Sequence, residues 1–80
     1  MKIRVRLAGH LSGYAAARDV IVDVAEGASV ADLIAAMGIP GGEVGTLYLD
    51  GAGAMVDAPL RDGCTVELFP PIAGGSQAAE

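Results

Sequence analysis

The 80-residue sequence has no tryptophan, one phenylalanine, one cysteine (Cys64), one histidine (His10) and five basic side chains against ten acidic ones. Each scarcity excludes something. A single cysteine closes no internal disulfide and cannot supply the several thiolates of a structural zinc or iron–sulfur site. A single histidine argues against a multi-histidine metal centre or an internal catalytic triad. A net charge of −5 argues against nucleic acid as a partner, because phosphate affinity rests on clustered Lys and Arg. No apolar run approaches the roughly 20 residues of a membrane span, and the N-terminus does not read as a signal peptide. No membrane partner is expected, and the cytoplasm is the expected location. Shortness excludes most. A domain this small buries only roughly 60% of the surface its unfolded chain exposes, which leaves one thin core and no deep, enclosed active site.

What is present is enough to fold. The hydrophobic share of 52% is inflated by fifteen alanines, but 24 bulky Val, Ile, Leu, Met and Phe residues remain, sufficient for one core. Met1–Leu7 alternates, with Ile3, Val5 and Leu7 on one side and Lys2, Arg4 and Arg6 on the other, so it reads as a half-buried strand. Residues 8–17 read as a loop, with a helical turn expected through Ala15–Ala17. Asp19–Val24 alternates again, with Val20, Val22 and Val24 inward and Ile21 outward, which makes a hairpin with the first strand. Ser29 is a good N-cap, and Asp32 stands three residues on as its capping-box partner. Val30, Leu33, Ile34 and Met37 then form one apolar stripe at helical spacing. Gly38 and Pro40 end that helix. Gly41-Gly42 reads as a loop and Thr46–Asp50 as a third strand, with Leu47 and Leu49 on one face. Asp50-Gly51 and Gly53 mark a turn, and Met55-Val56 reads as a short return strand. Thr65–Phe69 is the last strand, with Val66 and Leu68 inward and Glu67 and Phe69 outward. Pro70-Pro71 stops it, since proline has no N–H to offer a ladder.

The order β-β-α-β-β-β predicts an α+β ubiquitin-like β-grasp: a mixed sheet of four to five strands, one helix on one face, and first and last strands parallel at the centre. The expected division is a domain over 1–69, a Pro-Pro…Gly-Gly arm over 70–75 and an extension over 76–80.

The segment Pro59-Leu60-Arg61-Asp62-Gly63-Cys64-Thr65-Val66-Glu67-Leu68-Phe69-Pro70-Pro71-Ile72-Ala73-Gly74-Gly75 carries a motif. It resembles the C-terminal end of the ubiquitin-like sulfur carriers, whose pattern is roughly P-L-x-D-G-D-x-V-x-x-x-P-P-V-x-G-G. The double proline is most similar to the molybdopterin synthase small subunits; the thiamine-pathway carriers are relatives that usually lack it. Two departures stand out: Cys64 replaces the second Asp of the turn, and five residues follow Gly75.

The resemblance implies a carrier rather than an enzyme, with no cofactor of its own. An E1-like adenylating enzyme would activate the Gly75 carboxylate, a sulfur donor would convert it to a thiocarboxylate, and a larger synthase subunit would accept the tail. A processing metalloprotease would cut between Gly75 and Ser76. The chain has no phosphate-cradling loop, since Gly41-Gly42 and Gly51–Gly53 lack the lysine and the strand–loop–helix setting; ATP must come with the partner. Gly74 and Gly75 have no Cβ and suit a narrow channel, and Pro70-Pro71 stiffens the base of the arm.

Phe69, Pro70, Pro71, Ile72 and Ile21 are the candidate partner-docking residues. Lys2, Arg4 and Arg6 read as a solvated strand face paired with Asp19, Asp23 or Glu67. Cys64, after a turn glycine and beside Asp62, reads as a partly exposed, passive thiol without the basic neighbours that lower a thiol pKa. His10 reads as a loop residue without partners. Three uses stay open: a sulfur carrier for molybdopterin, thiamine, cysteine or another sulfur metabolite; a protein modifier joined through Gly75 to lysines; or a β-grasp binding module without C-terminal chemistry.

Overall fold

In the computed structural model, which describes residues 1–71, the first alternation becomes strand β1 (Lys2–Leu7). Its Ile3, Val5 and Leu7 are buried while Lys2, Arg4 and Arg6 are exposed. β2 (Asp19–Asp23) pairs antiparallel with β1, in the register Val5↔Val20 and Ile3↔Val22. The helix α1 spans Val30–Ala36. Strands β3 (Thr46–Leu49), β4 (Ala52–Ala54) and β5 (Thr65–Phe69) follow. The five strands lie in the order β2-β1-β5-β3-β4. β5 runs parallel to β1, with Val5↔Val66 and Leu7↔Leu68, and antiparallel to β3, with Leu47↔Leu68. This is the expected mixed sheet, with first and last strands at its centre.

Helix α1 buries Val30, Leu33 and Ile34 against the inner face. Ile3, Leu11, Leu33, Leu68, Val5, Val30 and Val66 are the largest fully buried side chains, and each such burial contributes roughly 1.5–3 kcal/mol. The Ser29 hydroxyl accepts from the Asp32 N–H at 3.3 Å, and the Asp32 carboxylate accepts from the Ser29 N–H at 2.9 Å, completing the capping box. Two further amides of the first turn find partners outside the helix: Val30 donates to the Ala58 carbonyl and Ala31 to that of Val56. The connection after β4 thus closes the start of α1, where a helix leaves its amides without internal partners.

Three local expectations change. The helical turn in the first connection falls at Gly9–Tyr14, not at Ala15–Ala17, because Leu11 anchors it in the core and the Ser12 hydroxyl bonds the Gly9 carbonyl. A 3-10 turn also occupies Gly41–Glu43. The return strand is Ala52–Ala54 rather than Met55-Val56. Asp50 and Gly51 both have positive φ, 51° and 86°, which makes a two-residue hairpin turn matched to strand twist. Pairing therefore starts at once with Leu49↔Ala52. The Asp50 carboxylate also accepts from the Thr65 N–H at 2.9 Å, fastening this turn to β5.

Candidate functional site

The face of the sheet away from α1 is open, and the strand registers arrange it in rows. Asp19, Arg6, Glu67 and Tyr48 align across β2, β1, β5 and β3. Ile21, Arg4 and Thr65 form the next row. Arg6 holds Asp19 at 3.0 Å and Glu67 at 3.7 Å, and Lys2 holds Asp23 at 2.9 Å. The basic stripe is therefore largely neutralised by the acidic residues expected to flank it; Arg4 has no carboxylate partner among the described residues. The hydrogen bond from Lys2, then its charge, holds the Asp23 carboxyl below its ordinary range. These pairs are exposed, and such pairs contribute little to stability.

Phe69 ends β5 on this face, 36% exposed. Its ring meets Tyr48 edge-on, with centroids 5.6 Å apart at 83°, the geometry favoured by the ring quadrupoles. Sequence reasoning missed Tyr48, although its place between Leu47 and Leu49 put it on the face of Phe69. Phe69, Tyr48, Thr46, Pro70, Pro71, Gly9 and Ala8 line an open depression of about 490 Å³. Ile21 is also exposed, at 57%, but lies on β2 beside Arg4. The arginines of β1 separate it from Phe69, so the structure brings Phe69, Pro70 and Pro71 together and leaves Ile21 apart. Ile72, Gly74, Gly75 and Ser76 lie outside the described residues, as do the rest of the arm past Pro71 and the 76–80 extension.

Cys64 and His10 are corrected. Cys64 is 6% exposed, within the core cluster, because the chain turns inward directly after Gly63 to begin β5. His10 has a partner: its Nε2 lies 2.6 Å from the Glu43 carboxylate. The contact ties the first connection to the turn that precedes β3. Among the described residues no group of three or more His, Cys, Asp or Glu side chains could hold a metal ion, and no helix is long and apolar enough to cross a membrane.

A five-stranded mixed sheet grasping one helix, with Pro70-Pro71 at the end of its central strand, defines a ubiquitin-like β-grasp protein. Residues 5–75 match the ThiS family, and the chain belongs to it. The resemblance read from Pro59–Gly75 is thus borne out, and the family's members are small carrier proteins. No curated protein sequence matches the chain. Among solved structures it is similar to SAMP1 from Haloferax volcanii, with 26% identity, TM-score 0.72, and 94% of this chain and 100% of that one covered. A putative molybdopterin converting factor, subunit 1, from Pyrococcus furiosus shares the fold at 24% identity and TM-score 0.73, covering 90% and 99%. So does the complex of subunits 1 and 2 of molybdopterin-converting factor from Helicobacter pylori, at 22% identity and TM-score 0.61, covering 94% and 100%.

Proposed function

We propose that the protein is a sulfur carrier whose reactive group is the backbone carboxylate of Gly75, exposed when residues 76–80 are removed by a processing metalloprotease. The carboxylate attacks the α-phosphate of ATP on an E1-like enzyme and releases pyrophosphate. A donor at the sulfide level then attacks the acyl carbon, AMP leaves, and a thiocarboxylate remains. In this division residues 1–69 are the docking domain, 70–75 the arm that enters the partner, and 76–80 a segment that withholds the carboxylate. The open sheet face supplies the docking surface through Phe69, Pro70 and Pro71, with Ile72 beyond them and Ile21 as an outlying contact. The acceptor we favour is a larger synthase subunit of molybdopterin biosynthesis in the cytoplasm. The double proline supports this assignment, and the complex from Helicobacter pylori, which shares the fold and pairs subunit 1 with subunit 2, is consistent with it. Carriage of sulfur for thiamine or cysteine uses the same carboxylate and the same first step.

The observation that carries the reading is the Pro59–Gly75 motif, within a family match that reaches residue 75. The test is intact mass after incubating a chain ending at Gly75 with the E1-like enzyme, ATP and a sulfur donor. An oxygen-to-sulfur replacement at Gly75 is expected; its absence with an active enzyme overturns the reading.

A second reading has its own support. SAMP1, the small archaeal modifier protein 1 of Haloferax volcanii, is similar over nearly the whole chain. Under that reading the activated Gly75 forms isopeptide bonds with lysines, and peptide mapping would find Gly75–lysine branches and no thiocarboxylate.

A further inference from the structure

Gly45 stands where β5 gives way to the arm. Its N–H donates to the Phe69 carbonyl at 2.8 Å, so the backbone of the turn before β3 runs against the backbone of the exit. A Cβ on Gly45 would lie 2.5 Å from Pro71 Cα, 2.8 Å from Pro71 N and 3.0 Å from the Pro70 carbonyl oxygen. These are main-chain atoms of a residue pair whose φ is locked by the pyrrolidine rings. No side-chain rotation relieves the overlap, so the main chain must shift where the turn and the arm meet.

The other flank is close but less tight, and it meets a proline ring rather than main chain. Gly9 has φ +56°, and a Cβ there would lie 3.2 Å from Pro70 Cγ. By contrast, a Cβ at Gly13, Gly41, Gly42 or Gly53 would meet nothing within 4 Å. The two loops that carry the seat are joined by the His10–Glu43 contact. The Ala8 N–H donates to the Leu68 carbonyl at 3.0 Å, continuing the β1–β5 pairing up to the seat.

We propose that Gly45, with Gly9 opposite, is a positioning residue: the pair seats Pro70-Pro71 and sets the direction in which the chain leaves the sheet. This rests on the carrier reading above and adds to it the part of the domain that aims the carboxylate. A docked carrier presents its terminus at the end of a short arm, so an error in the exit angle displaces the reacting atom. A misplacement of about 1 Å can cost about 100-fold in rate. Gly45 touches no reacting atom and acts only through Pro71. Its loss therefore shifts the arm while Phe69 and Tyr48 remain on the sheet face, so turnover falls by more than binding does.

The test uses the chain ending at Gly75, which contains every described residue, in ATP–pyrophosphate exchange with the E1-like enzyme. Gly45→Ala is expected to lower kcat by about 10- to 100-fold, a larger change than any it makes in KM. Gly42→Ala is the control and is expected to match wild type in both. Pro71→Gly loosens the same seat from the arm's side and also lowers kcat. Because the two residues share one contact, the double variant falls short of the product of the single effects. Wild-type kcat in Gly45→Ala, a change confined to KM, or fully multiplicative effects would overturn the proposal.

Proton NMR decides the geometry independently. The wild-type chain shows a Gly45 Hα–Pro71 Hα cross-peak, which Gly45→Ala loses while the β1–β5 cross-peaks remain. If Gly45→Ala fails to fold, Pro71→Gly and the wild-type cross-peak decide in its place. An absent cross-peak in the wild type removes the seat. A wild-type chain that supports no exchange removes the carrier reading instead, and the cross-peak then judges the seat alone.

Discussion

Two residues translate local chemistry into measurements directly. Asp23 accepts from the Lys2 ammonium through both carboxylate oxygens, at 3.1 and 2.9 Å, and its pKa is lowered chiefly by that bond. The folded carboxyl therefore titrates below the unfolded one, whose value is about 3.9. The stabilisation from this pair is present above the unfolded value and is lost as pH falls through the lower, folded one. The pair is fully exposed, so the effect on stability is small and screened by salt. An NMR titration of the Asp23 carboxyl carbon should show a midpoint below the ordinary range, and Lys2→Gln should return it there. Cys64 behaves differently from what its turn glycine suggests. Buried as it is, its thiol should resist alkylation in the native protein and react once the chain is unfolded, a contrast readable by mass spectrometry with and without urea. Equal labelling under both conditions would contradict the packing.

At the scale of elements, α1 shows how a very short helix persists. Its seven residues are too few to be stable alone, so the cap and the packing carry it. Ser29→Ala removes one side of the capping box and should cost about 1 kcal/mol, seen as a lower urea midpoint with an unchanged slope. Elements like this are legible in the sequence because their signals are local. Ser29, Asp32 and the Val30–Leu33–Ile34 stripe lie within one turn or two of each other, and β1, β2 and β5 each declare themselves by alternation. The return strand is not legible in the same way. Ala52–Ala54 has no bulky residue to mark it, so Met55-Val56, which are apolar but exposed at 73% and 47%, draw the expectation one step too far along the chain. The docking face is half legible. Phe69 and the prolines follow from the motif, whereas the distance between Ile21 and Phe69 depends on strand order. The seat under the prolines depends on Gly9 and Gly45, which come together only when β1, β3 and β5 are neighbours; no spacing in the sequence reports that.

For the molecule as a whole, β5 is the middle strand of the sheet. β5 pairs on both sides, and its Val66 and Leu68 are completely buried. Leu68→Ala leaves a cavity between the sheet and α1 and should cost about 2–5 kcal/mol. In a domain with so little core that is a large part of the total, so a substantial unfolded fraction at ambient temperature is the expected result by circular dichroism. Leu49, on β3 and only partly buried, should be distinctly more tolerant of the same change.

The parallel pairing of β1 with β5 also governs when the protein comes into being. Lys2 donates its N–H to Asp62, 60 residues further on, and β1 has no parallel neighbour until β5 arrives. Contacts of such separation form late, after most of the chain has been gathered. During synthesis, then, the first strand emerges early and waits, and the sheet cannot close around α1 until Phe69 has been made. A nascent chain interrupted before that point lacks its central strand altogether. Birth order thus acts as a checkpoint: the domain acquires its shape only when the segment leading into the arm already exists.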